Sequence, residues 1–215
     1  SVSQRTLAAL ARQHNIWLLA GSLFLRRRHD HRLVNRGMLF SPHGRIIANY
    51  DKIHMFDANV GDGKHYCESN SFAAGNTPVI ANLGNIQIGM SICYDLRFPH
   101  LYRQLARDGA HIIAVPAAFT AVSGAAHWHV LLRARAIETG CYVIAPAQCG
   151  THSDGRKTYG HALIVSPWGE ILAEADDGDA VITTTIDLAK ITEARQAIPS
   201  LNSPTEFGIT RFYRC

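Results

Sequence analysis

The chain lacks several features that would settle its class at once. None of its five cysteines (67, 93, 141, 149 and 215) forms a Cys-x-x-Cys pair, and their number is odd. That argues against a disulfide framework or a zinc ribbon, and for reduced thiols in a cytosolic setting. No apolar run approaches membrane-spanning length and no signal peptide opens the chain, so we expect a cytoplasmic protein without a membrane partner. Charge of one sign is also scarce. The formal net charge of +4 is spread out, and its one local run, Leu25 to Arg32, is interrupted by Asp30. Without interleaved aromatics that run reads as a solvated loop, not a nucleic-acid patch. What is present, 215 residues with 47% hydrophobic content, suits one soluble domain with a large core.

Read in order, residues 2–14 have the period of an amphipathic helix, with Leu7, Leu10 and Ala11 on one face and Asn15 as its stop. Trp17 to Ala20 reads as a buried strand ended by Gly21. A hairpin follows, Val34 to Phe40 and Arg45 to Tyr50, about Ser41-Pro-His-Gly44, where proline second and glycine fourth suit a type I turn. The same turn recurs as Ser166-Pro-Trp-Gly169, between Ala162 to Val165 and Glu170 to Ala173, and hints at two related halves. Between the hairpins, strands at 111–115 and 142–145 alternate with helices opening at Pro99 and Trp128 and closed by Gly109 and Gly140. A late strand is expected at 180–186 and a short helix around 188–197; the tail from Pro199 has little periodicity. Strands alternating with helices, plus hairpins, predict an α/β layered domain.

The stretch Gly84 to Pro99 organises the rest. Ile86, Ile88, Met90 and Ile92 alternate with small or polar residues, as in a strand with one packed face. The strand delivers Cys93 to its end, and Pro99 then opens a helix. A cysteine at a strand-to-helix turn meets outward N–H groups and a helix dipole that favours a thiolate. Cys93 is therefore a candidate nucleophile; the competing reading is a small buried apolar residue.

A thiol nucleophile needs its thiolate stabilised and donors for the oxyanion of a tetrahedral intermediate. Lys52, just past a strand end in an otherwise apolar segment, is the candidate cation. Glu68 is the candidate carboxylate that orients Lys52 or a water. His54 and His100 are weighed as papain-style partners for Cys93. Twelve histidines invite a metal, yet no familiar ligand spacing occurs, and His127 and His129 fall on different sides of a helix. No metal and no cofactor is expected.

Lys52, Glu68 and Cys93, set in Tyr50-Asp-Lys-Ile-His54 and Ser91-Ile-Cys-Tyr-Asp-Leu-Arg-Phe-Pro99, resemble the nitrilase superfamily of carbon–nitrogen hydrolases. The resemblance extends through Asn35 to Gly44, Pro116 to Phe119, His127 to Glu138 and Tyr159 to Gly169, in family order. Cys67 to Asn70, Arg133 to Thr139 and Ala147 to Gly150 most resemble its amidases acting on deaminated glutathione. The resemblance implies a four-layer αββα sandwich whose copies pair through the helix layer into homodimers or larger homo-oligomers. It implies a small carboxylate-bearing amide as substrate and a thioester on Cys93, with Lys52 and the Tyr94 N–H holding the oxyanion. Glu68 matches an additional glutamate, and Arg97 matches a position that binds a substrate carboxylate, for which its planar fork is suited. Phe119 lines the pocket or belongs to the core. Arg97 has a second reading as an ion-pair partner of Asp95 or Glu138. Trp128, Leu131, Leu132 and Ile137 are expected in the core, and Arg133, Arg135 and Glu138 in an ion-pair network.

One family element has no match. The general base is expected as a glutamate in an N-terminal strand ending in a Leu-Pro-Glu-like motif, but the acids before Lys52 are Asp30 and Asp51 alone. The single domain at 1–215 is thus expected to lack an N-terminal strand–helix segment. Loss of a general base typically costs ~10²–10⁴-fold in rate. The alternatives to an amidase are a catalytically impaired fragment or scaffold and, more weakly, a nitrilase.

Overall fold

The computed structural model describes residues 1–27, 30–61, 63–203, 208, 210 and 211. Positions 28 and 29 of the basic run and most of the tail beyond Ser203 lie outside the described residues. In chain order the elements are α1 (Val2–His14), β1 (Leu18–Arg26), β2 (Leu33–Phe40), β3 (Ile46–Asp51), β4 (Asp57–Asn59), β5 (His65–Cys67), β6 (Val79–Asn82) and β7 (Gln87–Met90). Then come α2 (Pro99–Arg107), β8 (Ile112–Ala114), α3 (Ala121–Thr139), β9 (Tyr142–Ala145), β10 (Cys149–Thr151), β11 (Lys157–Tyr159), β12 (Leu163–Val165), β13 (Ile171–Glu174) and α4 (Ala189–Ala197).

Two sheets carry the architecture. One has the order β1-β2-β3 and is antiparallel throughout. The other has the order β13-β12-β9-β8-β7-β6, with β7, β8 and β9 parallel at its centre. Period-2 alternation explains how each sheet takes two partners. On the smaller sheet, Ala20, Met38 and Phe40 receive Leu7, Ala8 and Ala11 of α1, and Asn15 ends that helix in a left-handed cap at φ 51°. Its other face meets the larger sheet through Tyr50, Met90 and Ile92. The contact is close: a side chain on Gly21 would lie 2.9 Å from Pro116 Cβ, so only glycine fits there. The far face of the larger sheet, Ile113, Val115, Val143, Leu163 and Val165, packs against Leu101, Leu105, Trp128, Leu132 and Ala136 of α2 and α3. These are the four layers α, β, β, α expected from the sequence. Truncating fully buried Trp128 to alanine should cost about 3–5 kcal/mol.

Several expectations need correction. Gly21 does not end the first strand; β1 continues to Arg26 through a bulge between Ala20 and Leu23, because the extra residue re-aims the strand around the close approach to Pro116. Leu25 and Arg26 therefore belong to a strand, and Arg27 pairs with Asp30 at its tip. α3 starts at Ala121, not Trp128, capped by Thr120. Residues 180–186 join no ladder among the described residues, and Val181 is 92% exposed; Ile186 turns inward, packing with Leu188 and Ile191 on Ile112 and Tyr142. Ile137 is exposed, on the outer side of α3, while Trp128 and Leu132 are buried. Arg135 does pair with Glu138, but Arg133 instead donates from Nε to the Gly169 carbonyl, 2.8 Å away. The two similar hairpins lie in different sheets, each with its glycine N–H donating back to the turn's serine carbonyl, at 2.8 and 2.9 Å.

Candidate active site

The polypeptide past β7 stays beside β8 after the ladder ends. Ser91 N–H donates to Ala114 O (3.1 Å) and Cys93 N–H to Pro116 O (2.9 Å). At Cys93 the chain turns sharply, with φ at +52°, into a single 3₁₀ turn over Cys93–Arg97. A non-glycine residue in this region costs about 1–3 kcal/mol and persists only where its surroundings enforce it. Here the enforcing group is Asp95, which is fully buried. Its carboxylate accepts the Ile92 N–H at 2.9 Å, the Tyr50 hydroxyl at 2.7 Å and the His54 N–H at 3.0 Å. The His54 ring nitrogen Nδ1 lies 2.7 Å from the same carboxylate, and the ring stacks on Phe98 at 3.6 Å. One carboxylate thus ties β3 and the segment after it to the turn that presents the thiol.

That segment carries Lys52. Its backbone N–H donates to Asn35 O (2.9 Å) and its carbonyl accepts the Gly75 N–H (2.8 Å). The side chain, 3% exposed, ends against Glu68 Oε2. Glu68 opens the 3₁₀ turn after β5 and also accepts the Phe56 N–H at 2.7 Å and the Asn35 amide at 3.4 Å. A buried ammonium tolerates its desolvation only with such a partner. The structure therefore brings Lys52, Glu68 and Cys93 to one cleft of about 1070 Å³.

Burial pushes the Cys93 thiol above its ordinary pKa; the Lys52 charge and the Ala118 N–H pull the other way, and Glu68 and Asp95 add to the rise. That direction runs against the thiolate expected at the turn. Desolvation outweighs a turn too short to gather much dipole. The Tyr94 N–H has no acceptor among the described residues, and Tyr94 lines the cleft. The Tyr94 ring meets Phe56 and Phe98 edge-on, at 5.0 and 5.3 Å.

Arg97 forms neither expected ion pair. Asp95 is engaged by Tyr50 and His54, and Glu138 by Arg135. Instead Arg97 Nη1 lies 3.2 Å from His127 Nδ1, and the guanidinium sits 5.3 Å above the Phe119 ring. Phe119 lines the cleft; it is 7% exposed and packs on Trp128. His54 and His100 make no hydrogen bond to Cys93 among the described residues; His54 serves Asp95, with His100 edge-on to its ring. Sequence reasoning missed four contributors. Tyr50 and Asp95 stand inside the quoted motifs, but nothing in their spacing says they meet. Asn35 braces Glu68, while its own Oδ1 is buried without a partner among the described residues. Arg156 lines the cleft from a loop with no sequence signal.

Comparison with known proteins bears on this geometry. The carbon-nitrogen hydrolase family pattern matches residues 2–196. A deaminated glutathione amidase of Synechocystis is 44% identical over 204 residues, covering 94% of this chain and 75% of its own length. The human deaminated glutathione amidase is 41% identical over 197 residues, 88% of this chain and 59% of its own. Among solved structures, Saccharomyces cerevisiae Nit3, a member of branch 10 of the nitrilase superfamily, superposes with a TM-score of 0.86 at 31% identity, covering 96% of this chain and 72% of that one. With the family's pattern spanning nearly the whole chain and its fold reproduced layer for layer, the chain belongs to the carbon–nitrogen hydrolase family, within the nitrilase superfamily.

Proposed function

We propose that the protein is a cofactor-free thiol amidase acting on a small carboxylate-bearing amide, with deaminated glutathione first and a 2-oxo acid ω-amide second. The observation that carries this reading is the constrained turn that directs Cys93 into a cleft shared with the Lys52–Glu68 pair. In this reading Cys93 gives its proton to a general base and its sulfur attacks the amide carbonyl. The Lys52 ammonium and the Tyr94 N–H receive the developing oxyanion. The C–N bond then breaks, the nitrogen takes up a proton and leaves as an amine, and an acyl thioester remains on Cys93. Water attacks that thioester, releases the acid and restores the thiol.

Glu68 keeps Lys52 charged and aimed, and its oxygens are already occupied by Lys52, Phe56 and Asn35. It is therefore a poor proton acceptor for Cys93. The chain spans 75% of the length of the Synechocystis deaminated glutathione amidase, and in this reading Glu68 holds Lys52 while another group takes the Cys93 proton. Arg97 and Arg156, both lining the cleft, supply two cations for a substrate with more than one carboxylate. The outward Val122, Val130 and Ile137 of α3, each about half exposed or more, support pairing of two copies through the helix layer. No disulfide joins Cys67, Cys93, Cys141 or Cys149, and no described helix is long and apolar enough to cross a membrane; both suit a reducing, cytoplasmic setting.

The test is intact-mass spectrometry of the protein quenched in acid during turnover of deaminated glutathione. We expect an acyl adduct on Cys93, release of amine and acid in equal amounts, and neither with Cys93→Ala. Arg97→Ala should raise KM for the carboxylate-bearing amide about tenfold or more, as expected for a lost charged hydrogen bond. Turnover that survives Cys93→Ala would sink the reading, and an inert but folded protein would favour a binding or scaffold role.

A further inference from the structure

Three side chains that the proposed reaction leaves unused converge beside α3. His129 projects from the middle of that helix, His161 from the connection between β11 and β12, and Glu174 ends β13. His129 Nε2 lies 2.7 Å from Glu174 Oε1, and His161 Nδ1 lies 3.2 Å from the same oxygen. One ligand atom from each residue therefore falls within 4.8 Å of the other two. Sequence spacing pointed away from this. His127 and His129 do diverge, the former toward Arg97, but folding supplies His129 with a distant partner.

We propose that His129, His161 and Glu174 form a binding site for a divalent transition-metal ion, with zinc the best-matched. Two imidazole nitrogens and one carboxylate oxygen are a recurrent zinc donor set, leaving a fourth position for water. Around a tetrahedral ion with bonds of about 2.0–2.1 Å, donors stand roughly 3.3 Å apart. The His161–Glu174 separation of 3.2 Å already matches, and the His129–Glu174 separation of 2.7 Å needs the carboxylate to swing outward by roughly half an ångström. Glu174 sits at an exposed strand end, where that movement meets little resistance. Hard cations such as magnesium and calcium demand more oxygens than this set offers.

The histidines are held for the task. His161 adopts φ +56°, a conformation kept only where the surroundings enforce it. Its carbonyl accepts the indole N–H of Trp128 at 2.7 Å, and its ring lies 4.3 Å from the Tyr159 ring. Trp128 is 1% exposed and immediately precedes His129. One core side chain thus anchors the backbone of both nitrogen ligands, a support of the kind that tunes metal sites. Neither imidazole is fully buried, so an ion can enter from solvent. Bound there, it would clamp α3 to the β12–β13 hairpin and raise stability by mass action.

The experiment titrates metal-free protein with zinc chloride by calorimetry and, in parallel, with cobalt(II) by visible absorption. We expect one equivalent of zinc, a four-coordinate cobalt spectrum without a thiolate charge-transfer band, and a zinc-dependent rise in Tm. His129→Ala and Glu174→Gln should each weaken binding by more than the ~10–100-fold typical of losing a supporting partner. His43→Ala, in the β2–β3 turn, should leave it unchanged. Tm without zinc establishes that the variants fold. Zinc binding that is equal in wild type and His129→Ala, absent from both, or accompanied by a thiolate band would overturn the proposal.

Discussion

Two carboxylates flank Cys93 and do opposite things. Asp95, with no solvent exposure, accepts from Tyr50, Ile92 and His54 and sees no open space. Glu68 stands at the wall of the cleft, with Lys52, Phe56 and Asn35 as its partners. Asp95 stabilises a backbone conformation, and Glu68 stabilises a charge. The lesson is that a buried carboxylate near a nucleophile is not by that fact a catalyst. What separates the two is which partner faces the substrate: backbone N–H groups and a phenol for one, a cleft-lining ammonium for the other.

Substitutions can break the comparison. Glu68→Gln should lower turnover about 10²–10³-fold, the range for losing one preorganised electrostatic group. Its Tm should fall by less than that of Asp95→Asn, since water in the cleft can reach the vacated position; kcat and a thermal melt on the same samples check this. Asp95→Asn should cost roughly 3 kcal/mol or more in denaturant unfolding, because several donors lose a charged acceptor together. Activity should fall with it as the turn at Cys93 relaxes. If Asp95→Asn keeps its stability and loses only turnover, the division of labour drawn here is wrong. Tyr50→Phe, removing a single donor, should cost about 1–2 kcal/mol and spare most of the activity.

The smallest effect sharpens the comparison through pH. Burial raises the Cys93 pKa and both carboxylates add to that rise, against Lys52. For residues 1–215, iodoacetamide should label Cys93 slowly at pH 7, and the rate should climb with pH beyond the range of an ordinary thiol. Linkage gives the same sign: the folded state holds this proton more tightly than the unfolded one. The stability it confers is present below the ordinary thiol pKa and declines as pH rises through the raised folded value. Rapid single labelling at pH 7 would contradict a protonated resting state.

Legibility in the sequence followed local physics. The strand–turn–helix around Cys93 could be read because alternation, a strand end and Pro99 are all local signals, and the hairpins announced themselves by their Ser-Pro-x-Gly turns. The first turns of α3 could not. Gly124, Ala125 and Ala126 carry no apolar period, and the reason lies elsewhere in the chain. A side chain on Gly124 would fall 2.3 Å from Tyr159 Cβ, so smallness there answers to β11 and not to the helix. Lys52 and Glu68 are candidates from their local settings and match the family motifs, but spacing alone cannot say that they touch. Tyr50 with Asp95, and His129 with His161, are pairings of distant residues that only the folded chain discloses. Arg97, expected to bind a substrate carboxylate or to pair with Asp95 or Glu138, lines the cleft, and its partners, His127 and the face of Phe119, were not foreseeable.

The turn at Cys93 has an evolutionary corollary. At φ +52° a side chain of any L-residue is a burden of about 1–2 kcal/mol, and glycine alone escapes it. Stability selected by itself would therefore erode this position toward glycine, and a Cys93→Gly variant is expected to be inert yet no less robust than its parent. Cysteine survives there only under continuing demand for its sulfur. In lineages released from that demand, position 93 is where decay of the enzyme into a mere fold should first be written.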